Sequence, residues 1–124
     1  GLQPPTVPDR GVVTHTVPTH YDAAVAGLLK QILAGSRFFT PVKTDGGLID
    51  TRLIKGPSAY VLPLSNYNGE VGKPCTVTLQ VAEKIGKVTS AYGGELKPVV
   101  NGKIVTVTVP ALGYGDILRF DIAQ

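Results

Sequence analysis

Asn101-Gly102 stands between two apolar runs, ELKPVV (95–100) and KIVTVTVP (103–110). In the second run Val105, Val107 and Val109 alternate with Thr106 and Thr108. Successive side chains of a pleated strand point to opposite faces, so this run has one apolar face and one wet face. Asn-Gly between two such runs predicts a hairpin, because both central residues of a type I′ turn need positive φ. A one-sided sheet of this kind must cover its apolar face with a second layer.

The same two-residue rhythm runs from Pro41 to the end of the chain. GLIDTRLI (47–54) stops at Gly56-Pro57, SAYVLPLSNY (58–67) at Asn68-Gly69, CTVTLQVA (75–82) at the turn 83–86, and KVTSAY (87–92) at Gly93-Gly94. GDILRFDIA (115–123) closes the series. Cys75, Val77, Leu79 and Val81 share one face, and Leu118, Phe120 and Ile122 oppose Arg119 and Asp121. About seven short strands joined by tight turns predict a mainly β chain, an antiparallel sandwich of immunoglobulin-like size, with a partly closed barrel as the alternative. SAYVLPLSNY is apolar on both faces and carries Pro63, which has no N–H for a ladder. Pro63 therefore predicts an edge or a bulge, and an edge covered by an N-terminal helix satisfies both features.

That helix is expected from about His20 to Ala34. Pro18 and Thr19 open it, Asp22 serves as the capping partner, and Gly35 stops it. Its apolar stripe includes Leu28, Leu29, Ile32 and Leu33, which are candidates for packing against a neighbouring domain. Before it, Pro4, Pro5, Pro8 and Pro18 impose an extended lead, with one short strand at 12–16. The organisation read from the residues is a proline-rich lead and helix over 1–46 and a sandwich over 47–124. The start at Gly1, followed by spaced prolines, leads us to expect a chain trimmed from a longer polypeptide at a linker.

Charge and apolar run length exclude several partners. The net charge of +3 arises from 12 basic and 9 acidic residues spread along the chain, with no basic run to track a phosphate backbone. Nucleic acid is not an expected partner. No apolar run approaches the ~20 residues of a membrane-spanning helix.

YVLPLSNYNGEVGKPCTVTLQV, KVTSAYGGELKP and GKIVTVTVPALGYGDILRFDI, in that order, resemble the small β-sandwich at the C-terminus of many large bacterial glycoside hydrolases and their uncharacterised relatives. The likeness covers residues 47–123. The preceding helix and FFTPV resemble the junction to an upstream domain in β-galactosidase-type enzymes. This resemblance implies an accessory domain of a carbohydrate-active parent, secreted or periplasmic, whose catalytic carboxylates lie in an upstream barrel.

The residues themselves point away from catalysis. Asp45, Asp50, Glu70, Glu83, Glu95, Asp116 and Asp121 are assigned to turns and wet faces, and their spacing shows no pair of the kind glycoside hydrolysis needs. His15 and His20 flank Pro18 without a third ligand nearby, so no metal is expected. Cys75 falls on an apolar face, where a thiol behaves as a small hydrophobe. No nucleotide or nucleophile-elbow motif is present, so no cofactor and no enzymatic activity are expected. Recognition, if any, rests on Tyr67, Tyr92 and Tyr114 at strand ends, whose rings could stack on a sugar. The leading expectation is a non-catalytic brace for a neighbouring domain. The alternative is a carbohydrate-binding module using those tyrosines.

Overall fold

The computed structural model describes residues 22–35 and 40–124. The lead, the expected strand at 12–16, Thr19, His15 and His20 lie outside the described residues. The chain divides into two units, Gly1–Thr40 and Pro41–Gln124.

In the first unit, α1 spans Ala23–Gly35. Asp22 is its N-cap: Oδ1 accepts the N–H of Ala24 at 2.7 Å and of Val25 at 3.4 Å, two donors that have no partner within the helix. The described helix begins at Ala23, and the expected start at His20 lies outside the described residues. Leu28, Leu29, Ile32 and Leu33 are 47–59% exposed.

The second unit holds β1 (Val42–Thr44), β2 (Ile49–Thr51), β3 (Ile54–Lys55), β4 (Ala59–Asn66), β5 (Lys73–Gln80), β6 (Ile85–Ser90), β7 (Gly94–Leu96), β8 (Val99–Asn101), β9 (Ile104–Leu112) and β10 (Gly115–Ile122). All pairings are antiparallel and form two sheets: β1-β5-β9-β8, and β2-β4-β10-β6-β7 with β3 also on β4. The predicted sandwich is present, and no barrel closes. Strand β1 lies within the alternation that begins after Pro41 but before residue 47, and it pairs with β5, Val42 opposite Leu79.

Periodicity assigned the inner faces correctly. Val77, Leu79, Val105, Val107, Leu62, Leu118 and Phe120 are all 2% exposed or less and pack in one cluster. Each such side chain contributes about 1.5–3 kcal/mol by leaving water, so this layer dominates the stability of the fold. Thr76 and Thr108 face each other on the wet side, Oγ1 to Oγ1 at 3.4 Å, and Arg119 Nε donates to Asp121 Oδ1 at 2.6 Å.

The prolines account for two differences from expectation. ELKPVV is not one strand: β7 belongs to the six-stranded sheet and β8 to the four-stranded one, with Lys97-Pro98 carrying the chain across. Pro98 lacks the N–H that a continuous ladder would use. Pro63 does not mark an edge, for β4 lies between β10 and the β2/β3 pair. Asn66 N–H bonds Tyr114 O on the β10 side and Tyr67 N–H bonds Leu48 O on the other, so by alternation residue 63 addresses the β2/β3 side. Pairing there is interrupted between Thr51 (opposite Leu64) and Ile54 (opposite Val61), and the missing donor falls in the gap. On the outer face of β4, Val61 and Pro63 are half-buried.

The Asn-Gly hairpin is also shifted. Asn101 pairs with Ile104, so the two loop residues are Gly102 and Lys103. Only Gly102 has positive φ, 60°, the arrangement of a type II′ turn with glycine first, in place of the predicted type I′ turn.

Candidate functional site at one end of the sandwich

Four loops gather at one end: 45–48, 67–72, 91–93 and 113–114. The chain enters the sandwich at β1 and leaves it at β10 from the opposite end, where Val42 faces Leu79 and Ile122 faces Ile85.

Two asparagines tie three of these loops together. Asn66 Nδ2 donates to the carbonyls of Glu70 and Gly113, each at 2.9 Å. Its Oδ1 accepts from the N–H and the Nδ2 of Asn68, each at 3.0 Å. Asn68 also donates to the Gly46 carbonyl and accepts from Leu48 N–H at 2.8 Å. Backbone bonds from Gly72 to Leu112 and from Tyr67 to Leu48 complete the lacing. Asparagine is suited to this because one side chain both donates and accepts.

The fourth loop is held differently. Asp116 is 6% exposed and Ser90 2% exposed, the two buried polar side chains among the described residues. Ser90 Oγ donates to Asp116 Oδ2 at 2.6 Å and accepts from Gly93 N–H at 2.7 Å and Tyr92 N–H at 3.2 Å. Asp116 Oδ1 accepts from Ile117 N–H at 2.7 Å. This corrects the sequence reading, which placed Asp116 among surface acids. Its parity with Leu118 and Phe120 was the signal that it points inward.

All three candidate tyrosines lie in this loop set, and the structure separates them into two groups. Tyr92 and Tyr114 are 86% and 82% exposed and line one depression of about 370 Å³ with Ala111, Gly113, Gly115 and Asp116. Tyr67 is half-exposed and does not line it. A second depression, about 360 Å³, is formed by the asparagine-laced loops and includes Asp45, Asn66, Asn68 and Cys75. Cys75 is almost fully buried; burial, with the Asp45 carboxylate adding, pushes its thiol up from the ordinary value.

Asp45, Glu70, Glu83 and Glu95 also have partners among the described residues. Asp45 Oδ1 accepts Thr76 N–H at 2.7 Å, Glu70 pairs with Lys73, and Glu95 pairs with Lys87 at 2.9 Å. Near the opposite end Glu83 bonds both Lys55 and the hydroxyl of the buried Tyr60. The Lys55 hydrogen bond, then that of Tyr60, holds the Glu83 carboxyl down at about 2.

No protein-family model matches the chain, and no curated protein matches it. Among solved structures, the fold is similar to part of alpha-L-fucosidase isoenzyme 2 from Paenibacillus thiaminolyticus. The TM-score is 0.62 at 20% identity, over 81% of this chain and 17% of that one. The likeness is one of fold, to a bacterial glycoside hydrolase, and this chain spans under a fifth of that enzyme's length. It bears on the expected resemblance at the level of a glycoside-hydrolase neighbour, and not on the C-terminal position or the β-galactosidase-type architecture.

Proposed function

We propose that this chain is a non-catalytic accessory β-sandwich, C-terminal in a larger carbohydrate-active bacterial protein, that packs against a neighbouring domain of the same parent. The observation that carries the reading is the fold likeness to a segment of 17% of a bacterial alpha-L-fucosidase. Two further features support it. The space between the sheets is filled by aliphatic side chains and Phe120, and Asp45, Glu70, Glu83, Glu95, Asp116 and Asp121 each hold a structural partner. The contact surface is the stripe of α1, where Leu28, Leu29 and Ile32 are 47%, 53% and 59% exposed and Leu33 lies on the same face.

The test uses the parent reading frame and this chain in parallel. Leu28→Asp with Ile32→Asp in the parent lowers the thermal midpoint of the neighbouring domain by about 4 °C or more, and the chain alone hydrolyses no aryl glycoside. An unchanged midpoint removes the packing role, and hydrolysis by the chain removes the non-catalytic one. A second reading, carbohydrate binding by the loop tyrosines, is favoured by the exposure of Tyr92 and Tyr114.

A further inference from the structure

Tyr92 and Tyr114 are almost wholly exposed, so the fold gains little from either ring. Both are nevertheless held at their backbones. The Tyr92 N–H is bonded to Ser90 Oγ, which is itself bonded to Asp116, and the Tyr114 carbonyl accepts Asn66 N–H at 2.9 Å. Two aromatic residues on fixed loops beside one depression form a preorganised surface, which lowers the ordering cost of binding. The depression, about 370 Å³, is at the small end of the ~300–1,000 Å³ range of ligand sites. A stable protein partner would instead need about 800 Å² on each side.

The lining also specifies polarity. Asp116, 6% exposed, is among the residues lining the depression, and its two carboxylate oxygens each accept one hydrogen bond from the protein, from Ser90 Oγ and Ile117 N–H. Each oxygen retains a further acceptor position. A ligand suited to this site has a flat apolar face for the rings and hydroxyl donors at its rim, without negative charge of its own.

We infer that Tyr92 and Tyr114 form a stacking platform for one neutral sugar ring, with a ring hydroxyl donating to Asp116. Tyr67 is not part of it. The inference rests on the carbohydrate-related reading above and names its ligand class and residues.

Isothermal titration of the chain with neutral di- and trisaccharides of glucose, galactose, mannose and xylose, and with a glucuronate-containing disaccharide, tests it. At least one neutral sugar binds. Tyr92→Ala and Tyr114→Ala each weaken that binding roughly three- to tenfold, while Tyr67→Ala leaves it unchanged. Both rings are exposed, so these variants keep the far-ultraviolet dichroism and unfolding midpoint of the parent chain. Silence with every neutral sugar overturns the inference, as does preference for the glucuronate, undiminished binding by both variants, or an equal loss in Tyr67→Ala. Association with another protein, lost in the same variants while no sugar binds, assigns the platform to a protein and also overturns it. Failure here leaves the accessory reading intact, because that reading is tested separately through α1 and the hydrolysis assay.

Discussion

Ser90 on β6 gives its hydroxyl proton to Asp116 on β10 at 2.6 Å, beside an apolar core. The same oxygen receives two backbone N–H groups of the turn carrying Tyr92. Removing the hydroxyl leaves a buried carboxylate short of a donor and two backbone donors short of an acceptor. Ser90→Ala is therefore expected to cost about 2–3 kcal/mol, read from urea unfolding, and to speed amide exchange at Tyr92 and Gly93. A loss under about 0.5 kcal/mol, within the range of ordinary surface substitutions, would contradict the stated role.

A second prediction concerns Glu83. Its carboxyl is held at about 2, below its ordinary 4.5, first by Lys55 and then by Tyr60. A depressed folded value means that the unfolded chain takes up a proton first as pH falls. The stabilisation is present in full above the ordinary value and fades as pH drops from about 5 to about 2. Urea midpoints of the parent chain and Glu83→Gln should differ at pH 7 and converge near pH 2. A constant gap would show that the charge is not responsible.

Gly115 makes a third case. A Cβ there would sit 2.7 Å from the backbone oxygen of Leu64, on the strand beside it. That oxygen cannot rotate away, so Gly115→Ala must part β10 from β4 or strain both. The expected cost is about 1–3 kcal/mol. Gly113→Ala, two residues earlier and with no atom within 4 Å of the added carbon, is the control and should cost far less.

Cys75 supplies a reactivity test. The thiol is 2% exposed and its ionisation is opposed by burial and by Asp45. Reaction with an aromatic disulfide reagent at pH 8 should be slow in the native chain and immediate in denaturant. Labelling at the rate of a free thiol in native buffer would show that the end of β5 opens readily.

The sandwich was legible because alternation is a direct statement about faces. Val105, Val107 and Val109, or Leu118 and Phe120, point inward whichever strand lies beside them. What periodicity does not encode is partnership. Pro63 suggests an edge or a bulge, because a missing donor is usually placed where no strand needs it; β4 is internal, and the neighbouring ladder breaks opposite it. ELKPVV read as one strand because no pattern of faces announces a change of sheet at Pro98. Asp116 was hidden by its charge, although its parity placed it inside. The tyrosines stand out by their strand-end positions, but only the arrangement of the loops divides Tyr92 and Tyr114, which line one depression, from Tyr67.

The course of β1 and β10 has a practical bearing. Since the polypeptide passes into and out of the sandwich at the end remote from Tyr92 and Tyr114, a bead, label or fused reporter attached beyond Ile122 leaves the aromatic tip directed outward into the medium. Surface-immobilised assays can be built on that orientation without blocking what they measure.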